Sequence, residues 1–339
     1  MNTPSTTISP LRKFGWLLRR EYWENRGGFF WAPVITAIIV SVLGVLGTIA
    51  SVLLVNRLED KSKPFLQMGK SSLHANSSIS DPSVLGAVGD GSLLSGIAII
   101  ALVLAFSVFF YSLGALYDDR RDRSILFWKS LPVSDALTIV SKSLWALLLA
   151  PALAIATGLA LGVVMVLLGV LNMKLIGVPG GGAMLWNTHY FRVALNALSV
   201  VPVYAAWALP AVGWLMLCSA AARSKPFLWA VLVPILSATL LSWLGALPGI
   251  SMPHGTIWYV LGYRGLLSIA PGTWYIDGTL IGRLAASAQN IENPSDLMRV
   301  IDLSRGWHIF AGTDVWIGMA AGAAMIAAAI WLRRRRDDA

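Results

Sequence analysis

The residue types that most often carry out catalysis are few and scattered in this chain. Among its 339 residues are four histidines, His74, His189, His254 and His308, and one cysteine, Cys218. The histidines lie in predicted loops far apart in sequence, and the cysteine lies inside an apolar run. No His-Glu-x-x-His, paired-cysteine or Gly-x-Ser-x-Gly pattern occurs in the sequence. We therefore expect no catalytic residue, no metal ligand and no cofactor bound by this chain.

One short stretch resembles the end of a phosphate-binding loop. Gly69-Lys70-Ser71 has the right final residues, but Pro64 stands where the loop requires its first glycine, and no apolar strand precedes it. The glycine is needed because backbone N–H groups must approach the phosphates closely. We expect that this chain does not hydrolyse ATP by itself.

Composition places the chain among membrane proteins. Hydrophobic residues make up 56% of it and charged residues 13%, whereas soluble domains are about 25% charged. Six uncharged runs are each about long enough to cross a hydrocarbon layer of about 30 Å. These runs are 29–55, 94–116, 143–171, 193–222, 227–248 and 315–332. The fold class we predict is an all-α polytopic membrane protein with a six-helix transmembrane domain over 29–332.

The residue types within these runs indicate how a transporter built from them would be powered. None of the runs contains Asp, Glu, Lys, Arg or His. Ion-coupled transporters place such groups near the membrane midplane. A transporter with this interior would take its energy from a separate motor subunit, and the alternative is a membrane scaffold that moves nothing. Gly158-x-x-x-Gly162 and Gly318-x-x-x-Gly322 have the spacing that permits close helix packing.

The basic residues indicate an orientation. Sixteen of the 26 lie in 1–28, 117–142, 223–226 and 333–339, which together cover only about 65 positions. Cytoplasmic loops carry such an excess of Lys and Arg. We expect both termini to be cytoplasmic, including the basic tail over 333–339. The net charge of +9 is then a topology signal, and no nucleic-acid partner is expected.

The N-terminal stretch 1–28 has the pattern of an interfacial helix. Apolar residues fall at helical spacing beside a basic side, and two tryptophans stand one heptad apart. Gly27-Gly28 is predicted to break this helix just before the first apolar run. The residues that we expect to hold it at the cytoplasmic membrane surface are Phe14, Trp16, Arg19, Arg20, Tyr22 and Trp23.

Two segments are predicted to lie on the external side of the membrane. Residues 56–93 are polar and serine-rich, whereas 249–314 begin with many aromatic residues. Two interpretations of 249–314 stay open, short helices that re-enter the membrane interface and an ordered external cap. Backbone at membrane depth is tolerated only where protein or water covers it, so a re-entrant hairpin would line a path or a dimer interface.

The segment over 117–135 interrupts the apolar runs most sharply. Positions 118–123 carry three acids and three bases, which we expect to form solvated, local ion pairs, and an aromatic-aliphatic patch follows. Pro132 is predicted to end the helix of this patch, and Ser134 or Asp135 to cap the next helix. A short amphipathic helix that binds another protein at the membrane surface would account for both the charged positions and the aromatic-aliphatic patch.

Taken together, these features resemble the ABC-2-type permease family, the membrane subunits of type V ABC exporters. The resemblance rests on the N-terminal stretch Leu-Leu-Arg-Arg-Glu-Tyr-Trp-Glu-Asn-Arg (17–26), the segment Arg-Ser-Ile-Leu-Phe-Trp-Lys-Ser-Leu-Pro-Val-Ser (123–134), the long segment before the sixth run, and the end Ile-Trp-Leu-Arg-Arg-Arg-Arg. The commoner family pattern has Gly-Thr-Leu-Glu where this chain has Arg123 to Leu126, so the family's acidic contact does not carry over. Burial of Phe127 and Trp128 would replace it.

The resemblance implies a permease subunit in a bacterial inner membrane, with a second permease copy or related chain and two separate ATP-binding subunits as partners. ATP and Mg²⁺ would bind those subunits, and membrane lipid would surround this one. The residues expected to couple to the ATP-binding partner are Arg123, Ile125, Leu126, Phe127, Trp128, Leu131 and Pro132. The exported substrate is not implied. The alternatives are a non-transporting scaffold or assembly factor and an intramembrane enzyme.

Overall fold

Six helical stretches of the chain are long and apolar enough to cross a membrane. The computed structural model describes residues 10–61, 81–122, 134–178, 180–245, 247, 253–275 and 303–336. The stretches, named spans 1 to 6, are Arg12–Arg57, Pro82–Arg121, Asp135–Leu175, Tyr190–Ala221, Pro226–Leu244 and Thr313–Arg335. Each of the six predicted runs overlaps one span, although 193–222 and 227–248 extend beyond the ends of spans 4 and 5. The structure therefore supports an all-α, multi-pass membrane protein, and no strand occurs in the described ranges.

The described helices are given in chain order. The α-helices are α1 Pro10–Arg26, α2 Ala32–Lys61, α3 Pro82–Gly114, α4 Tyr117–Arg121, α5 Asp135–Leu144, α6 Ala150–Leu175, α7 Ala183–Asn187, α8 Tyr190–Ser199, α9 Val201–Ala221, α10 Pro226–Leu244, α11 His254–Trp258 and α12 Thr313–Arg336. Single π-helical turns lie at Gly27–Trp31, Trp145–Leu149 and Tyr259–Arg264, and 3₁₀ turns at Leu267–Ile269, Thr273–Tyr275 and Leu303–Ala311.

The predicted break at Gly27-Gly28 is wrong. The chain stays helical there through the π-helical turn Gly27–Trp31, and the N–H of Ala32 donates to the carbonyl of Gly27. The bend falls earlier, at Asn25, whose backbone leaves the helical region with φ −111° and ψ 16°. A π-helical turn adds a residue without breaking the hydrogen-bond ladder, so two glycines in sequence need not end a helix.

Span 2 begins well before the predicted start at residue 94. Asp81 caps it, because its carboxylate accepts a hydrogen bond of 2.9 Å from the N–H of Ser83, and Pro82 occupies the first turn. Leu85 and Leu93 are buried against span 3 and α7. The later part of the predicted external segment 56–93 is thus the packed first turns of span 2. Residues 62–80 lie outside the described ranges.

The core lies where spans 2, 3, 4 and 6 meet. Ile100, Val108, Leu215 and Met216 are fully buried there, and Cys218 is a small packed residue of the same core, as expected. The two π-helical turns at the start of spans 1 and 3 also meet, because the buried rings of Phe29 and Trp145 lie edge to face with centroids 5.9 Å apart.

Glycines allow the closest helix contacts. A Cβ added to Gly158 would lie 2.7 Å from the Cα of Ile97, and one added to Gly162 would lie 2.6 Å from the Cα of Leu93. Gly322 likewise packs against the backbone of Leu209 in span 4. Both predicted glycine pairs thus serve contacts within the chain: Gly158 and Gly162 between spans 2 and 3, Gly322 between spans 4 and 6, and Gly318 against the side chain of Arg264.

The described parts of segment 249–314 are short helical turns that pack against span 4. The hydroxyl of Tyr204 donates to the carbonyl of Ile269 at 3.1 Å, and the indole N–H of Trp207 donates to the hydroxyl of Thr273 at 3.0 Å. The segment therefore returns along the middle of span 4. Residues 276–302 lie outside the described ranges.

The substitution Gly158→Ala tests the contact between spans 2 and 3. We expect it to lower the free energy of unfolding by about 1–3 kcal/mol, since the added methyl group meets backbone atoms that cannot move aside. Thermal unfolding of the detergent-solubilised chain measures this. Gly47→Ala in span 1 is the matched control, because a Cβ there meets nothing within 4 Å. Equal effects of the two substitutions would contradict the contact.

Candidate functional site

The segment that resembles the coupling helix is described only at its two ends. Tyr117–Arg121 forms the short helix α4, and Ser134 caps α5, because its hydroxyl accepts a hydrogen bond of 3.3 Å from the N–H of Leu137. This confirms Ser134 as the predicted cap. Residues 123–133 lie outside the described ranges. The seven predicted coupling residues fall there, namely Arg123, Ile125, Leu126, Phe127, Trp128, Leu131 and Pro132.

The stretch predicted to form an interfacial helix is helical, as α1, and its residues divide between two faces. Phe14 and Tyr22 are half-buried, and the ring of Tyr22 packs on that of Trp145 with centroids 5.9 Å apart. The outward residues are Trp16, Arg19 and Trp23, whereas Arg20 pairs with Glu24 at 2.6 Å. Trp16 and Trp23 each lie within 6 Å of an arginine guanidinium, of Arg12 and Arg26 respectively. This face suits a membrane–water boundary.

On the inner face of α1, Glu21 is completely buried. The hydroxyl of Tyr111 in span 2 donates to its Oε2 atom at 2.8 Å. The Nζ atom of Lys142 in span 3 lies 3.3 Å from Oε1 and 3.4 Å from Oε2. A carboxylate in such a place is stable only when it is paired. Glu21 therefore ties α1 to spans 2 and 3.

The same lysine belongs to a larger cluster of charges, all of them buried except for one half-buried acid, Asp135. Its Nζ atom is also 3.7 Å from Oδ1 of Asp119, whose Oδ2 is 3.4 Å from Nη1 of Arg333 at the end of span 6. The Nε atom of Arg333 lies 3.2 Å from Oδ1 of Asp135, the first residue of α5. We name these five residues, Glu21, Asp119, Asp135, Lys142 and Arg333, the charge cluster.

The expectation of solvated, local ion pairs over 118–123 is wrong for Asp119. Only 9% of this residue is exposed, and its partners Lys142 and Arg333 are distant in sequence. The physical reason is that α4 lies where the ends of spans 2, 3 and 6 converge, so that protein replaces water around it. Asp122, by contrast, is exposed.

Arg120 fastens the same short helix to the end of span 4. Its guanidinium donates to the carbonyl of Ser219 and, at 3.1 Å, to that of Ala222. In return the Ser219 hydroxyl accepts from the N–H groups of Leu116 and Tyr117 at 3.0 and 2.9 Å. The last carbonyls of a helix lack partners within it, and a guanidinium satisfies them well. Spans 2 and 4 are thus joined at the turn that leads to residue 123.

A groove of about 910 Å³ opens beside the charge cluster, between α1 and span 2. Its polar part includes Lys142 and Asp119, and its apolar part includes Phe106 and Phe110, both of which are exposed. The charge cluster is therefore buried but reachable from one side. The described residues contain no group of three or more His, Cys, Asp or Glu side chains that could hold a metal ion.

A third buried cation, after Lys142 and Arg333, lies at the other end of the bundle. Arg264 follows α11 and is only 4% exposed, and its guanidinium lies 3.8 Å from the ring centre of Trp207. Its Nε atom is 3.5 Å from Oδ2 of Asp314 at the start of span 6, which also accepts from the hydroxyl of Tyr259 at 2.7 Å. Burial lowers the pKa of Arg264, against the opposing effect of Asp314, and burial raises the pKa of Tyr259. These contacts fix the segment before span 6.

The charge cluster was not predicted from the sequence, although signals for it exist. Glu21 falls on the helical face that carries Phe14 and Leu17, which is unusual for an acid. Lys142 directly precedes an uncharged run, and Arg333 directly follows one. Each position is ordinary by itself, and only their proximity in the fold marks a site.

Loss of one cation should destabilise the charge cluster strongly. We expect Arg333→Gln to lower the free energy of unfolding by about 3–5 kcal/mol, because it leaves Asp119 and Asp135 short of a counter-charge. Thermal unfolding in detergent measures the loss. Arg334→Gln removes the exposed neighbouring charge and should change stability by less than about 0.5 kcal/mol. A similar loss for both would show that the tail acts through net charge.

A double-mutant cycle on Glu21 and Lys142 tests whether the two act as a pair. Lys142→Met alone leaves the buried Glu21 without its cation, and Glu21→Met alone leaves the buried Lys142 with only one of its two acids. In the combined variant only Asp119 loses a partner, and it keeps Arg333. We expect the combined loss in unfolding free energy to be smaller than the sum of the single losses by about 1–3 kcal/mol. The exposed Arg20–Glu24 pair serves as a control, with a coupling of about 0–1 kcal/mol. Additive losses at Glu21 and Lys142 would contradict the pairing.

Comparison with known proteins identifies no relative. No protein-family model, curated protein or solved structure matches this chain. A function can therefore be inferred only from the chain itself. The relevant features are the charge cluster, the helices that carry it and residues 123–133, which lie between Asp119 and Asp135.

Proposed function

We propose that this chain is the membrane-spanning permease subunit of an ATP-driven exporter of the ABC-2 type. A separate ATP-binding subunit contacts residues 123–133, and its hydrolysis of ATP drives movement of a substrate outward. The complete transporter contains two permease subunits and two ATP-binding subunits. This proposal extends the resemblance of segments 17–26 and 123–134 to the family's interfacial and coupling helices.

The charge cluster is the observation that carries the proposal. Asp119 and Asp135 lie on either side of residues 123–133, and both contact Arg333 at the end of span 6. Asp119 also contacts Lys142 in span 3, which contacts Glu21 in α1. A force applied to residues 123–133 would therefore act at once on the ends of spans 2, 3 and 6 and on α1. This is the arrangement that a lever between a motor subunit and a membrane domain requires.

The orientation belongs to the same proposal. The contacts of the charge cluster bring α1 and the end of span 6 to one end of the bundle. That end carries most of the basic residues, so we place it in the cytoplasm, where ATP is available. Segment 249–314 then lies on the outer side, and the turns over 253–275 re-enter the membrane domain beside span 4.

Substitution of Phe127 and Trp128, the two aromatic residues within 123–133, tests the proposal. Phe127→Asp and Trp128→Asp should abolish co-purification with a co-expressed ATP-binding subunit from the same organism and the stimulation of its ATPase activity, since aromatic residues dominate most interfaces. The assay needs the full chain in detergent or nanodiscs, with size-exclusion chromatography to detect a complex of two permeases and two ATP-binding subunits.

The matched control uses the same chemistry elsewhere on the chain. Trp186→Asp and Phe191→Asp alter aromatic residues that are 89% and 75% exposed at the opposite end of span 4. These variants should leave assembly and ATPase stimulation unchanged. If Phe127→Asp and Trp128→Asp are equally harmless, residues 123–133 do not couple to the ATPase. A stable complex without substrate-dependent ATPase activity would instead favour a scaffold.

A further inference from the structure

A partly open cavity of about 490 Å³ lies between spans 2, 3 and 4 of the membrane domain, and no residue of the charge cluster lines it. Span 2 contributes residues between Gly91 and Leu104, span 3 contributes Pro151, Ala154 and Ile155, and span 4 contributes residues between Ala197 and Tyr204. The turn over 271–275 completes the wall. Pro151 and Lys142 are nine residues apart in span 3, so the near edge of the cavity is about 14 Å along the helix from the charge cluster.

The lining of this cavity is almost wholly apolar. None of its residues is an acid, a base or a histidine. The Ser95 hydroxyl already donates to the carbonyl of Ser92 at 2.9 Å, and the Tyr204 hydroxyl donates to that of Ile269 at 3.1 Å. These two groups therefore place little demand on an occupant, and nothing in the wall could neutralise a charge.

The size of the cavity is that of a ligand site and not of a packing defect. Protein interiors contain few voids larger than a water molecule, whereas ligand cavities measure about 300–1,000 Å³. At about 30 Å³ for each water-sized group, the space holds on the order of sixteen such groups. That is the bulk of a single alkyl chain.

One polar group in the wall lacks a partner. The Nε1 atom of Trp274 is buried, and it makes no hydrogen bond to any group in the described part of the chain. Trp274 itself is only 7% exposed, and it lines the cavity beside Tyr204. Because less than 1 Å² of this atom is accessible, an occupant of the cavity cannot reach it. Trp274 therefore offers the occupant an apolar ring surface and no free hydrogen-bond donor.

We propose that this cavity binds the uncharged, single-chain hydrophobic part of an amphiphilic molecule, with a chain of about sixteen carbon atoms. The inference goes beyond the exporter proposal and does not depend on it, because it rests on the cavity alone. The chain can come from a phospholipid of the bilayer or from a free amphiphile, and both offer the same alkyl group to the wall.

Photolabelling tests this directly. The full chain is incubated with a sixteen-carbon alcohol that carries a diazirine within its chain, irradiated, digested and analysed by mass spectrometry. We expect saturable labelling of peptides that contain 91–104, 151–155, 197–204 and 271–275, and unlabelled alcohol should suppress it. Labelling of lipid-facing surfaces should rise in proportion to probe concentration and should not be suppressed.

Ala154→Leu supplies the decisive variant, since Ala154 is buried in the cavity wall. The three added carbon atoms should narrow the cavity and reduce cavity labelling about tenfold, equivalent to about 1.4 kcal/mol of binding. Ala160→Leu adds the same volume to the exposed face of the same helix and should leave labelling unchanged. Ala197→Leu narrows the cavity from span 4 and replaces Ala154→Leu if that variant does not fold.

The source of the chain is distinguished by repeating the experiment with and without phospholipid. If a bilayer lipid is the occupant, the alcohol labels the cavity only in phospholipid-free detergent, and Ala154→Leu loses a co-purified phospholipid. If a free amphiphile is the occupant, labelling is the same in detergent and in nanodiscs. Cavity labelling that does not saturate, or that persists in both Ala154→Leu and Ala197→Leu, would overturn the proposal.

Discussion

The need to neutralise Glu21 constrains the rest of the structure. A completely buried carboxylate is costly unless a cation and a hydrogen-bond donor reach it, and here Lys142 and Tyr111 do so from two different spans. Lys142 is paired with both Glu21 and Asp119, and Asp119 is also paired with Arg333. Each ion pair restricts where the end of a helix can lie. The four segments concerned, α1 and the ends of spans 2, 3 and 6, are therefore held in one mutual arrangement. Buried ion pairs often add little net stability, and their main effect here is to specify this arrangement.

A different interaction holds the spans together away from the charge cluster. Inside a bilayer no hydrophobic effect drives helix against helix, so close packing must supply the attraction. Spans 2 and 3 meet at Gly96, Gly158 and Gly162, and spans 4 and 6 meet at Gly213 and Gly322. The bundle thus combines specific charge pairing at one end with close backbone contact along its length.

The sequence predicts the parts of this fold that depend on local chemistry. The six spans follow from uncharged length, and α1 follows from an amphipathic period, because these properties involve neighbouring residues. The charge cluster could not be predicted in this way, since Arg333 and Asp119 are 214 residues apart. The start of span 2 was missed because Asp81 and Pro82 mark a helix start within a polar stretch that looks external. The turn at Gly27 was missed because a π-helical turn accommodates the glycines that usually end a helix.

The two π-helical turns lie where motion at the charge cluster would enter the membrane domain. Gly27–Trp31 follows Glu21 along the chain, and Trp145–Leu149 follows Lys142. The turns touch through Phe29 and Trp145, and Ala154 of the cavity wall lies only five residues beyond the second turn. Such turns are common at functional sites because their looser hydrogen bonding allows local rearrangement. A shift of Lys142 relative to Glu21 would therefore be absorbed or transmitted at this contact. Span 3 continues beyond it as an unbroken α-helix over Ala150–Leu175, so a shift that passes this contact would reach the cavity wall.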